Sequence, residues 1–455
     1  MKEFTPEYLE RLHDIISRHD EDTARAELAD LHPADIADLY RDLNIDDAEY
    51  LFKLLDEETQ ADVLMELDED ERQKLLSRMD AEDIAKQIEH LDSDDAVDVI
   101  QELDEEERDK ILSHIDDVEQ AGDIIDLLKY DEDTAGGIMG TEMIVVNENW
   151  SMPECIKQMR MQAEDMDEVY YVYVVDNDDR LRGTLPLAKL VTHPNVSKIK
   201  HVMETDPVAL KADTPIDEVA LDFEKYDLVA MPVIDSIGRL LGRITVDDVM
   251  DKVRESSERD YQLATGLSGD VESDDKLLAQ TKARLPWLLI GMIGGICNSL
   301  ILGRFEGGFA IDPALALFIP LIGGTGGNVG TQSSAIVVQG LANGSLDVTK
   351  SARQLFKELG VGLLNGTIIA LLVFLYNWFT IGQGHLATTY AVSLSLFCVV
   401  LFASVFGTFV PLMLEKLKID PALATGPFIS ITNDIIGMVI YMAISTWLLS
   451  IFHVI

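Results

Sequence analysis

The stretch TGPFISITNDIIG, Thr425 to Gly437, sets Asp434 about a third of the way into an apolar run, Pro427 to Ile455, that holds no other Asp, Glu, Lys or Arg. A carboxylate at that depth costs roughly 2.5–3.5 kcal/mol on insertion scales, so it is expected to face a cavity or a partner rather than lipid. An acid inside a membrane segment points to a path for cations. Proton relay, or an acid paired within the helix bundle, are the alternatives for Asp434.

Outward from this run, the C-terminal part reads as five spans, roughly Leu285 to Phe305, Pro313 to Leu341, Leu359 to Phe379, Thr389 to Leu414 and Pro427 to Ile455. With the connecting loops on alternating sides, Lys282, Arg284, Lys350, Arg353, Lys357, Lys416 and Lys418 share the side of the N-terminal region, and only Arg304 lies opposite. That asymmetry places the N-terminal region in the cytoplasm and the C-terminus outside, in a multi-pass protein of the cell (plasma) membrane. The opening MKEFTPEYLE has neither a basic lead nor an apolar core, so no cleaved signal peptide is expected.

The chain of 455 residues carries a net charge of −46, which is very unevenly spread. From Thr281 onward the balance is +1, so Met1 to Gln280 carries −47. Such a polyanion repels nucleic acid and attracts divalent cations and basic partners, although a solubilising or salt-adapted surface would have the same composition. Cys155, Cys297 and Cys398 have no disulfide or zinc spacing.

A register of twelve residues runs through the acidic region at Leu31, Leu43, Leu55, Leu67, Met79, Leu91, Leu103 and Ile115. Each is followed by a capping type, His32, Asn44, Asp56, Asp68, Asp80, Asp92, Asp104 and Asp116. Each unit therefore reads as a cap and a helix of about two and a half turns. Helices this short need stacked neighbours, which predicts an all-α superhelical array. Asp94 and Asp98 share one helix face four residues apart, where like charges repel unless a cation joins them, though acidic helix starts are also common without metal.

The pattern changes near Gly136 to two strand–helix–strand–turn–strand units. The second comprises Asp206 to Leu210, a helix from Ile216 to Tyr226, Val229 to Asp235 and Gly238 to Thr245; Tyr170 to Asp176 and Arg182 to Leu187 match it in the first. These units resemble a tandem pair of cystathionine-beta-synthase-type (CBS) domains, which often bind adenine nucleotides. Thr245-Val246-Asp247-Asp248 fits that family's Thr-x-x-Asp ribose pattern, whereas Thr184-Leu185-Pro186-Leu187 lacks the acid. ATP binding at Thr245 and Asp248, and a dimerising regulatory module without nucleotide, both stay open. Beyond Thr245 an acidic helix is expected towards Leu263, ended by Gly266 and a loose polar junction to Asp275.

The second span contains PLIGGTGGNVGTQSS, Pro320 to Ser334. Its glycines suit close helix packing or backbone exposed along a cavity; close packing alone does not account for Asn328 and Gln332, whose amides can serve a hydrated ion. Mg²⁺ sheds water reluctantly and is usually held by one or two carboxylates with waters retained, which a site of one Asp, amides and carbonyls fits.

The order of acidic helical domain, CBS pair, connecting helix and five spans, with GGTGGNVGTQ in the second and TGPF…ND in the fifth, resembles the MgtE family of magnesium channels and transporters across essentially the whole chain. The resemblance implies domains at 1–135, 136–200, 201–250, 251–280 and 281–455. It implies a homodimer in membrane lipid that conducts Mg²⁺ along its axis, with Asp434 lining the pore and Ser430 and Asn433 beside it. It also implies closure by cytosolic Mg²⁺ at positions including Asp94, Asp98, Asp217, Asp248 and Asp251. Ser256 and Arg259 stand where that family leads one to expect acids, which implies a shallower or partly relocated sensor. A divalent-cation carrier coupled to Na⁺ or H⁺ is the alternative, and a membrane-anchored sensor without transport is a third reading. No nucleophile–base pair or phosphate loop marks an enzyme.

Overall fold

Residues 4–163, 166, 169–193, 197–268, 271, 277–305, 312–342, 345–346, 351–380, 386–424 and 426–452 are described by the structure, a computed structural model. Thr425, Lys350, the end of the fifth run at 453–455 and most of the polar junction, 269–270 and 272–276, lie outside the described residues. The chain forms two compact units, Met1–Val253 and Arg254–Ile455.

The first unit begins with ten helices, α1 (Pro6–Ser17), α2 (Glu21–Leu28), α3 (Pro33–Arg41), α4 (Ile45–Phe52), α5 (Glu57–Glu66), α6 (Glu69–Leu76), α7 (Ala81–Ile88), α8 (Ser93–Gln101), α9 (Glu105–Leu112) and α10 (Val118–Leu127). Helices two apart pack on each other, α3 on α5, α5 on α7, α7 on α9, and α4 on α6, which builds two staggered rows. Leu67, Leu91, Leu103 and Ile115 of the twelve-residue register are buried, and Leu31, Leu43, Leu55 and Met79 lie half-buried against the same core.

His32, Asn44, Asp56, Asp68, Asp80, Asp92 and Asp104 stand at the N-caps as expected. The last unit departs from the register. Asp117, not Asp116, caps α10, because its carboxylate accepts from the amides of Glu119 and Gln120 at 2.8 and 3.2 Å. The Asp116 amide donates instead to Glu89.

The two CBS-type units follow. In the first, β1 (Ile144–Asn147) runs parallel to β2 (Val172–Val175), which pairs antiparallel with β3 (Leu181–Leu185), and β3 pairs with β4 (Glu204–Thr205). In the second, β5 (Leu210–Lys211), β6 (Ala230–Ile234) and β7 (Leu240–Thr245) repeat the parallel–antiparallel order. The helical array shares its apolar core with the second of these units, through Leu210, Val219, Phe223, Met231 and Ile244. The segment joining the two is threaded between them. Gly136 donates to Ala212, and Gly140 and Arg243 exchange a backbone pair at 2.8 and 2.9 Å.

A helix of twenty residues, Val246–Thr265, leaves β7 and ends at Gly266, whose φ of +84° only glycine adopts without strain. Among the described residues, five helices are long and apolar enough to cross a membrane, Leu277–Arg304, Pro313–Ala342, Ser351–Thr380, Leu386–Lys416 and Gly426–Phe452, here called spans 1 to 5. The fold is therefore multidomain: an all-α superhelical domain, α/β tandem CBS domains, a connecting helix and a five-helix membrane domain. Span 4 is central and packs on spans 2, 3 and 5. Span 3 starts earlier than its apolar run, at Ser351, which brings Glu358 inside the helix. Span 2 is α-helical from Ile319 to Ala342 despite its six glycines, of which Gly323, Gly326, Gly327 and Gly330 meet spans 4 and 5. A Cβ on Gly407 of span 4, for example, would meet the backbone of Gly330.

Two caps with the same sequence signal differ in the bonds they make. Asp56 accepts from the Thr59 amide and hydroxyl at 3.1 and 2.9 Å, while the Asp104 side chain makes no capping bond. Asp56→Ala is expected to cost about 1 kcal/mol and Asp104→Ala under about 0.5 kcal/mol, read by chemical denaturation of the cytosolic transition of the full chain in detergent.

Candidate functional site

In the first unit, one cleft of about 190 Å³ is lined by Asp92, Asp94, Asp95, Glu142, Asp247 and Asp248, with Arg243 the single cation among its lining residues. Three local choices assemble it. The start of α8 supplies Asp94 and Asp95, with Asp92 at the cap, and the Asp92 carboxylate makes no capping bond. The threaded segment supplies Glu142, whose carboxylate accepts from the Ser93 amide and hydroxyl at 3.0 and 3.1 Å. The first turn of the connecting helix supplies Asp248, which accepts from the Thr245 amide at 3.0 Å and from the Thr245 hydroxyl. Gly140 makes room for the pair: a Cβ there would lie 3.0 Å from Glu142 Oε2 and 3.2 Å from both Asp94 oxygens.

One carboxylate oxygen from each of Asp92, Asp94 and Glu142 lies within 4.8 Å of the others. This all-oxygen donor set suits a hard divalent cation. Without a cation the charges repel. Burial, then the Asp248 carboxylate, holds the Asp94 carboxyl well above the usual carboxylate range. Burial, then Asp248 and Asp92, pushes Asp95 up to about 7. Asp248 is also raised by burial, although the two Thr245 donors and Arg243 pull it back.

In the second unit, Gly323 and Gly327 of span 2 face Asp434 of span 5. A Cβ at these positions would lie 3.5 and 3.3 Å from Asp434 Oδ1, and one at Gly327 only 2.8 Å from Ser430 Oγ. Among the described residues, Asp434 Oδ1 is buried with no hydrogen-bond donor, and Asn433, 1 % exposed, has neither amide atom bonded. Asn328 and Gln332 lie on another face of span 2, exposed together with Gly324 and Gln339 as a stripe along the helix. The glycine face closes on the acid and the amide stripe looks out of the protomer.

The CBS domain model matches residues 135–194 and 199–255, the MgtE intracellular N domain model matches 31–133, and the model named MgtE, a divalent cation transporter, matches 319–444. The magnesium transporter MgtE of Thermus thermophilus is 37% identical over 326 residues, 71% of this chain and 72% of that protein. The chain belongs to the MgtE family. The MgtE magnesium transporter of Bacillus subtilis is 31% identical over 70% of each chain. A crystal structure of the cytosolic domain of the Mg²⁺ channel MgtE in complex with ATP matches with a TM-score of 0.51 at 30% identity, covering 54% of this chain and 99% of that one. MgtE proteins are transporters, not enzymes, and five apolar helices put this member in a membrane.

Of the acids singled out in this MgtE sequence, Asp94 and Asp248 meet in the cleft. Asp98 instead pairs with Lys252 at 3.9 Å, while Asp217 and Asp251 are exposed and outside the cleft lining. Asp92, Asp95, Glu142 and Arg243 complete the cleft and were not picked out by pattern. Asp92 reads as an ordinary cap, and Glu142 becomes visible only through its reach across to Ser93, 49 residues away.

A carboxyl that binds its proton more tightly folded than unfolded stabilises the fold fully below its unfolded value, about 3.9. That contribution is lost as pH rises through the folded value. Asp95, at about 7, therefore weakens the cytosolic unit progressively between these limits. In divalent-free buffer Asp95→Asn is expected to raise the melting temperature of the full chain's cytosolic transition, and by more at about pH 8 than at about pH 5. An equal or smaller gain at the higher pH contradicts this origin of the shift.

Proposed function

We propose that the chain imports Mg²⁺ across the plasma membrane as a homodimeric channel and is closed by cytosolic Mg²⁺. The observation that carries this reading is Asp434 Oδ1, a buried acceptor without a donor, held against the side-chain-free face of Gly323 and Gly327. A hydrated cation supplies the missing donors through its waters, and the glycines leave space for them. Ser430, one turn inward, and the amide of Asn433 adjoin the acid. Asn328 and Gln332, exposed on one protomer, are satisfied when a second copy mirrors them across a wet axis. The seven-to-one split of basic residues puts the cytosolic domains inside and the C-terminus outside.

Closure follows from the charged cleft. Cation binding between Asp92, Asp94 and Glu142 removes the repulsion among them and stabilises the compact arrangement of α8, the threaded segment and the start of the connecting helix. Only a state that binds the cation more tightly gains from it, so rising cytosolic Mg²⁺ shifts the balance to that state. In the membrane unit, the end of the connecting helix at Gly266 lies against Pro427, and Gly426 against Ala264, at the start of span 5. Two helical turns separate Pro427 from Asp434.

ATP is the second ligand supported by an observation. Thr245 and Asp248 of the ribose pattern stand in the same cleft as Tyr170, and a relative's cytosolic domain is known in complex with ATP. The crowd of carboxylates opposes a bare triphosphate, so the nucleotide is expected to bind with Mg²⁺.

Mg²⁺ influx into proteoliposomes, followed with an internal dye, is expected to fall at least about 100-fold in Asp434→Ala, in line with loss of a group that acts on the passing ion. Equal influx in both proteins overturns the path. Influx that requires an opposing Na⁺ or proton gradient replaces the channel with a coupled carrier. Glu142→Gln and Asp94→Asn are each expected to raise the cytosolic Mg²⁺ needed for half-closure about 10- to 100-fold, as loss of a metal-site carboxylate does. Unchanged closure in both removes the cleft from the sensor.

A further inference from the structure

Span 3 carries a second acid within the membrane bundle. Glu358 is 6 % exposed, and its carboxylate accepts the hydroxyl of Ser333, itself 4 % exposed on span 2, at 2.6 Å. That length matches a charge-assisted O–H···O⁻ bond. Among the described residues no Lys, Arg or His forms an ion pair with Glu358. Lys357 and Arg353 of the same helix are exposed. Glu358 is also away from the glycine face that meets Asp434.

The need for such a bond comes from the glycines. At about 100° per residue, Gly323, Gly327, Gly330 and Ser334 share one face of span 2, the Asn328–Gln332 stripe lies opposite, and Ser333 sits on the flank between. A face of glycines packs closely but offers no side-chain ridges to resist rolling about the helix axis. A roll of one residue's width would take Gly323 and Gly327 off Asp434 and turn the amide stripe into the bundle. Span 3 itself is held: Gly362, one turn beyond Glu358, abuts Ser404 of span 4, with 3.1 Å from its Cβ position to the Ser404 hydroxyl oxygen.

We propose that Glu358 is a positioning residue for ion passage, fixing the rotation of span 2 through Ser333. The glycine face thereby stays on Asp434 and Asn328 and Gln332 stay turned outward. This inference rests on the transport reading above, and a second readout, independent of transport, tests it separately.

The full chain in proteoliposomes is assayed for Mg²⁺ influx as wild type, Ser333→Ala, Glu358→Leu and Glu358→Gln. Glu358→Leu and Ser333→Ala are each expected to lower maximal influx about tenfold, the loss of one hydrogen bond to a charged group. Glu358→Gln stays within about twofold, because its amide oxygen still accepts the hydroxyl. The Ser333→Ala/Glu358→Leu pair is no worse than Glu358→Leu alone. Asn328→Cys, in a background with Cys155, Cys297 and Cys398 replaced by Ala, reports rotation through its reaction with a water-soluble thiol reagent. That reaction is expected to slow several-fold with Ser333→Ala. Glu358→Gln as defective as Glu358→Leu beside a normal Ser333→Ala overturns the proposal, since the acid then acts by its charge. Unchanged thiol reactivity in Ser333→Ala also overturns it. If wild type gives no influx yet the thiol reactivity still shifts, the transport reading fails and the rotational lock stands.

Discussion

Carboxylates held where water is scarce repel one another when crowded and lack donors when alone, and the protein keeps one place of each kind. In the cytosolic unit, Asp92, Asp94, Asp95, Glu142 and Asp248 crowd one cleft with a single arginine. In the membrane unit, Asp434 has a buried oxygen with no donor. Neither arrangement is a stable resting place for bare charge, and in the function proposed above a small, hydrated divalent cation relieves both. The fold spends its stability elsewhere, in the leucine-lined helix stack and the shared core with the second CBS unit, to hold these acids in place.

The two sites differ in how they are held, and the difference suits their parts. The cytosolic acids come from three segments far apart in the chain, tied by Ser93, Thr141 and Thr245. Such a site changes when the segments shift, which is what the proposed sensor role needs. Asp434, by contrast, projects from a continuous helix against another continuous helix, with glycine giving the clearance. The ion-passing role proposed for Asp434 requires that it keep its position while its occupant changes.

Much of this was legible in the sequence. The twelve-residue spacing announced the helices, because each unit repeats a cap and a buried leucine, and Asp434 stood out because nothing else charged shares its run. What the spacing could not convey was tertiary. Glu142 sits in an unremarkable strand-edge position and matters only because the chain threads Gly140 beneath Asp94. Glu358 fell just outside an apolar run and joined the buried face of the bundle only because span 3 extends to Ser351. Asp117 displaced Asp116 as a cap because two amides, not the repeat count, decide which carboxylate is used. The glycines of span 2 suited close helix packing or backbone exposed along a cavity, and the contacts of Gly326 and Gly330 with spans 4 and 5 resolve the choice at those positions.

The twelve-residue stack also constrains how such a chain can change in length. Each unit fits because its cap and its leucine arrive together, so gain or loss of a few residues inside the stack would turn every later helix to a wrong face. Only whole units can be added or removed without disturbing the rest. The two ends are not equivalent in this respect. Helices before α7 supply none of the residues that line the acidic cleft, whereas α8 carries its acids and α10 packs on α8. The stack is free to lengthen or shorten at its beginning, while its last units are tied to the cleft they complete.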